Sequence, residues 1–170
     1  MSDIHFMGGI HGVGKGTICN KVCEQTKLVH LIASNLLKWS EISATNNKNV
    51  ENIPNTQDRL IAGLNNATKD NETYLLDGHF CLFNAIGIVE KVPLETFVRI
   101  APKLIIVATE KVELIKQRLE KRDNKKYNFD ILDDMQNKEK EHAEEIANYL
   151  NIPFIALTSG NFQPLINKLK

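Results

Sequence analysis

Glycine at positions 8, 9, 12, 14 and 16 and a single lysine, Lys15, crowd into the stretch GGIHGVGKGT at residues 8–17. So much bare backbone beside one positive charge suits a polyphosphate. Glycines let successive N–H groups converge on phosphate oxygens without Cβ collisions. A helix starting at Lys15 adds free amide donors and a partial positive charge. Gly9, Gly14 and Lys15 fit the spacing G-x-x-x-x-G-K. Gly9, Gly12, Val13, Gly14, Lys15, Gly16 and Thr17 are therefore the expected phosphate cradle, with Lys15 reaching the β- and γ-phosphates of a nucleotide. The position after the lysine ordinarily carries a Ser or Thr hydroxyl for Mg²⁺, but here it is Gly16 and the hydroxyl falls on Thr17. His11 is expected to shape the loop rather than to react.

Two further groups of residues carry chemistry. LLDGHF at 75–80 ends a strand-like run in Asp77 and His79. A carboxylate at the end of such a strand points toward the phosphate loop and can hold magnesium or its water shell; the alternative is an ordinary Asp-Gly turn. Arg118 and Arg122 stand four apart, so they share one helix face. Before a short polar stretch, DNKKYNFD, they can clamp a transferring phosphoryl group. Glu113, Lys116, Glu120 and Lys121 nearby leave a solvated charged face as the alternative.

The elements that position these residues follow from hydropathy. Short apolar runs at 3–8, 28–32, 73–77, 103–108 and 153–157 alternate with helical patterns at 15–26, 34–42, 56–69, 93–101, 110–122, 129–150 and 161–169. LIIVA at 104–108 shows no polar alternation, as a strand covered on both faces requires. Such alternation predicts a parallel sheet between helical layers, with ligands at the carboxyl ends of the strands. The polar, asparagine-rich stretch 43–55 reads as a mobile loop, and residues 78–92 fit either a small hairpin or an irregular crossover. With 170 residues, the chain is expected to form one domain.

Charge and cysteines exclude other classes. Lys+Arg and Asp+Glu balance at 21 each, so no global field draws the chain to nucleic acid or a membrane. The first apolar run begins too early for a signal peptide. Three cysteines, with Cys19 and Cys23 read as small core residues, agree with reduced thiols and a cytoplasmic location; a metal site is the alternative, but no second Cys or His pair has ligand spacing.

Taken together, the GKGT loop, the Asp77-x-His79 element and KLIIVATEKVELIKQRLEKRD at 103–123 resemble the nucleoside monophosphate kinases, and specifically the archaeal-type adenylate kinases and the adenylate kinase isoenzyme 6 family. The similarity runs from Ile4 to about Leu157. It implies an α/β three-layer P-loop fold: a five-stranded parallel sheet, helices on both faces, an acceptor-side segment at about 34–69 and a short lid at about 122–130. It also implies ATP as phosphoryl donor, Mg²⁺ held by Asp77 and Thr17, and a phosphate acceptor. Catalysis then falls to Lys15, Asp77, Arg122 and Arg118. The donor adenine is expected near Arg118 and near Ser159 in LTSGN at 157–161, where Ser159 and Gly160 equally fit a plain strand-to-helix turn. For the acceptor, the arginine those enzymes carry after the third strand is missing from DGHFCL. Arg59, Lys38, Asn35 and His79 are the candidates in its place.

A monophosphate acceptor needs no base, whereas a hydroxyl acceptor on a nucleoside, small molecule or polynucleotide end benefits from one. The residues leave both open, and the resemblance favours the monophosphate. Another alternative is a slow ATPase switch that binds a protein or RNA partner, with the charged helix at 129–150 as its surface. Oligomeric expectations extend to a monomer or small homo-oligomer.

Overall fold

In the computed structural model, residues 2–37 and 53–170 are described, without the side chains of 53–55. The chain runs β1 (Asp3–Gly8), α1 (Lys15–Gln25), β2 (Val29–Ile32), α2 (Ala33–Leu37), α3 (Ile53–Ala67), β3 (Thr73–Asp77), β4 (Cys81–Phe83), β5 (Val89–Lys91), α4 (Leu94–Ile100), β6 (Leu104–Thr109), α5 (Val112–Asp123), α6 (Phe129–Leu150), β7 (Phe154–Thr158) and α7 (Gln163–Leu169). Five strands form a parallel sheet in the order β2-β3-β1-β6-β7. This is the α/β architecture that the alternation predicts.

Alternate residues of the central strands feed two separate cores. Phe6, Leu76, Ile105 and Val107 pack with Leu60, Phe97 and Ile146 on one face. Met7, Leu75, Ile106 and Ala108 pack with Ile18, Val22, Ile115 and Ile166 on the other. Burial on both sides explains the unbroken apolar runs. The order also places β1 between β3 and β6, so the loop leaving β1 opens at the crevice where successive crossovers change direction.

Residues 78–92 form a small antiparallel hairpin, β4 against β5. Its tip is fixed locally: the Asn84 side-chain oxygen accepts from the N–H groups of Ile86 and Ile88, and Gly87 takes φ 79°. Of the stretch 43–55, expected to be a loop throughout, 43–52 lie outside the described residues and a correction concerns 53–55. Helix α3 already begins at Ile53, with Pro54 in its first turn, where a fixed φ suits helix initiation and a missing N–H costs nothing. Between α5 and α6 lies the turn 124–128, closed by Asn124 at φ 50° and by the Asn128 side chain, which accepts from Ile131 N. Among the described residues, no helix is long and apolar enough to cross a membrane.

Candidate active site

The loop between β1 and α1 forms as the glycines require. Gly12 and Gly14 stand at φ 83° and 94°, a region that L side chains avoid. A Cβ on Gly9 would come within 2.8 Å of the Ala108 carbonyl oxygen, so glycine there lets β1 exit against β6. Val13 is fully buried and anchors the loop in the core beside α5. Gly14 is the N-cap of α1 and supplies no side chain, and the first turn of α1 holds no acidic residue. The leading amides of α1 are thus left for an outside anion.

Lys15 Nζ donates to Asp77 Oδ1 at 2.5 Å, joining the loop to the end of β3. Asp77 is 6% exposed, and on its other side His30 Nε2 of β2 lies 3.5 Å from Oδ2. Burial alone raises the Asp77 carboxyl, but the His30 imidazole and the Lys15 ammonium outweigh it and hold the group below its usual value. An ionised carboxylate therefore faces the loop lysine.

Arg118 reaches back from α5 to the same loop. Its Nη1 donates to the carbonyls of Gly12 and Val13, each at 3.2 Å, and its Nη2 to Glu110 at 3.3 Å. Ser159 also donates to Glu110, so Arg118 and Ser159 meet beside Gly14 through one carboxylate. Arg122 is placed differently. Its Nε and Nη2 donate to the two oxygens of Asp123 at 2.6 and 2.8 Å, and Tyr127 binds the same carboxylate. The two arginines expected to act as a pair are separated: Arg118 on the loop, Arg122 held by Asp123 in the last turn of α5. Thr17 is exposed and forms no hydrogen bond with Asp77 or Lys15. Of Thr17 and Asp77, the two residues expected to hold magnesium, Asp77 is the one whose oxygen lies against the loop lysine.

Beside Asp77 opens a cavity of about 240 Å³. Its walls include Lys15, Asp77 and His79 at one end and the apolar side chains of Leu37, Leu60, Leu82 and Phe97. Gln57 of α3 and Thr96 of α4, 5% and 4% exposed, line it as well.

His79 lies at this wall, its ring centroid 4.6 Å from that of His11. Burial, and then the Lys15 charge, hold it well below the usual histidine value, so it is neutral. Of the remaining acceptor candidates, Arg59 donates to the Leu37 carbonyl at 3.4 Å and Asn35 is exposed on α2; neither lines the cavity, where Ser34 stands instead. Lys38 lies outside the described residues.

Sequence reasoning misses Glu139. From the middle of α6 its carboxylate, 1% exposed, accepts from Gly9 N at 3.0 Å, Phe80 N at 3.0 Å and Cys81 N at 2.6 Å. One side chain thus ties the exit of β1 to the exit of β3, fixing the loop relative to Asp77. Burial raises its carboxyl to about 7 despite the three amides. A signal for it exists in the chain. Met135, Glu139, His142 and Ile146 recur at helical spacing, and all four are buried.

Comparison with known proteins agrees with this layout. The AAA domain family matches residues 8–136. A gluconokinase from Sinorhizobium meliloti 1021 superposes with a TM-score of 0.56 at 11% identity, covering 98% of this chain and 89% of its own. An uncharacterized protein from Eubacterium ventriosum ATCC 27560 gives 0.51 at 11%, covering 98% and 94%. These likenesses show the fold. No curated protein matches the chain in sequence.

Proposed function

Because the chain belongs to the AAA domain family, with a phosphate loop whose lysine is paired to a strand-end aspartate, we propose that it is an ATP-dependent kinase. The observation that carries this reading is the Lys15–Asp77 pair in the cavity wall, which joins the phosphate loop to a space that an acceptor would fill. In this reading the loop amides and Lys15 hold the β- and γ-phosphates, while Arg118 braces the loop and borders the donor nucleotide with Ser159. Asp77 would hold Mg²⁺, which when bound offsets charge on the phosphate oxygens. Arg122, released from Asp123, would meet the charge that spreads over the transferring group. The fold shared with a gluconokinase supports the reading only at the level of architecture.

The acceptor we assign first is a nucleoside monophosphate, on the strength of the GKGT loop and the Asp77-x-His79 element. A second reading, a hydroxyl acceptor, is favoured by one observation. Asp77, ionised and part of the cavity wall, is the carboxylate a hydroxyl there would meet, and Gln57 and Thr96 offer neutral hydrogen bonds in the same wall. Incubation with labelled ATP, Mg²⁺ and a panel of nucleoside monophosphates, nucleosides, sugars and oligonucleotides tests both. Labelled nucleoside diphosphate supports the first reading, and a labelled phosphomonoester the second. Release of inorganic phosphate alone, unchanged by any acceptor, would overturn the kinase assignment in favour of an ATPase.

A further inference from the structure

Beneath the phosphate loop, two side chains that phosphoryl transfer does not use, Cys19 and His30, stand beside Asp77. Gly16 leaves the motif's metal-ligating hydroxyl position without a side chain, and a Cβ there would meet nothing within 4 Å. One turn further along the same face of α1 stands Cys19, fully buried. A sulfur, a nitrogen and an oxygen from Cys19, His30 and Asp77 lie within 4.8 Å of one another.

His30 is oriented for a ligand. Its Nδ1 lies 3.0 Å from the Asn20 side-chain oxygen and donates to it when that nitrogen carries the proton. Nε2 lies 3.5 Å from Asp77 Oδ2, is buried, and has no hydrogen-bond partner. A ring nitrogen and a carboxylate oxygen at that separation can both ligate one cation, which takes the place of a proton between them. A metal-bound histidine commonly donates its second nitrogen to a neighbouring oxygen in this way.

We propose that Cys19, His30 and Asp77 form a site for a borderline transition metal of the Zn²⁺ type, and that its occupation shuts off the kinase by capturing Asp77. Thiolate, imidazole and carboxylate are the donors such a metal takes, with a fourth position open to water. Thiolate and carboxylate bring two negative charges to a divalent cation, the second of them shared with the Lys15 ammonium on Asp77 Oδ1. Binding breaks the Cys19 S–H bond, now directed at Met7 Sδ at 3.5 Å; the proton leaves to solvent and the sulfur pair goes to the metal. Burial pushes that thiol up, so the metal must displace its proton. The inhibitory half rests on the proposed kinase function; the binding half does not.

The test titrates Zn²⁺ into reduced, metal-stripped full-length protein without nucleotide, by competition with a chromophoric chelator. One equivalent should bind. Cys19→Ala and Cys19→Ser should each weaken binding more than tenfold, and the surface change Asn20→Ala about tenfold. Co²⁺ in place of Zn²⁺ should give a thiolate-to-metal absorption band that Cys19→Ser abolishes. Unchanged affinity in both Cys19 variants, or a cobalt spectrum without that band, overturns the site. In the kinase assay, one equivalent of Zn²⁺ should suppress wild-type turnover and spare Cys19→Ala; equal suppression overturns the inhibitory role. If no acceptor is phosphorylated, the kinase reading falls while the binding result still decides the site.

Discussion

The phosphate loop and the cavity beside it, the donor and acceptor sides of the proposed reaction, are held by different means. On the donor side, backbone does the work. Gly12 and Gly14 set the loop's turns, the α1 amides face outward, and Lys15, Arg118 and Glu139 fix its position. On the acceptor side, single side chains from α2, α3, α4 and the hairpin converge on a space with no local motif of its own. A backbone cradle binds what every nucleoside triphosphate shares, whereas converging side chains can differ from one protein to the next without disturbing the fold. Perturbing the two ends should therefore produce different kinetic signatures.

The sharpest break is Lys15→Ala, which removes the loop's charge and should lower kcat/KM at least 10³-fold, measured by ATP turnover with the fold checked by circular dichroism. Unchanged turnover in a folded variant would remove the donor site from the comparison. Asp77→Asn should cost about 10²-fold or more, with the loss greatest at limiting magnesium. Arginine variants then separate binding from catalysis. Arg118→Ala should raise the KM for ATP about tenfold, because its guanidinium holds the loop carbonyls. Arg122→Ala should lower kcat more than it raises that KM; the opposite pattern in steady-state kinetics would exchange their roles.

Gln57→Ala sharpens the acceptor side. The KM for the acceptor should rise about tenfold while that for ATP stays fixed, since the acceptor loses a buried amide that faces it across the cavity. Parallel changes in both constants would show that α3 supports the whole site instead.

The smallest effect concerns Glu139. Its carboxyl rises from an ordinary 4.5 to about 7, so the folded chain binds the proton more tightly than the unfolded chain. The stability this contributes is full below its ordinary value and is lost as pH rises to about 7. In Glu139→Gln the decline of Tm across that window should flatten; an unchanged slope would assign the titration to other groups.

Much of the donor side is legible in the order of residues alone. Each predicted strand appears within a residue or two of its expected limits, because two-sided burial leaves an unbroken apolar run. The pairing of Lys15 with Asp77 follows from a loop after one strand and a carboxylate at the end of its neighbour. Less is legible where position depends on distant partners. Arg118 and Arg122 look alike in sequence, yet Asp123 and Tyr127 claim one while the loop carbonyls claim the other. Glu139 hides among the charges of a helix that reads as a solvated surface, although its spacing places it inward.

The acceptor candidates show the same limit. Arg59 and Asn35 follow from what a phosphate needs, but α2 and α3 bring Ser34 and Gln57 to the cavity instead. Their helical phase turns the arginine toward the Leu37 carbonyl and leaves the asparagine exposed.

The phosphate loop and the layered α/β fold are written locally in the chain. Both follow from short-range rules: glycine's access to positive φ, lysine beside a helix start, and apolar runs of strand length. Packing alone assigns the partners that meet across 58 to 130 positions of chain. Glu139 gathers the amides of two strand exits, and Gln57 faces a cavity. Such meetings depend on how helices rotate and pack against the sheet, and no local pattern of residues encodes that geometry.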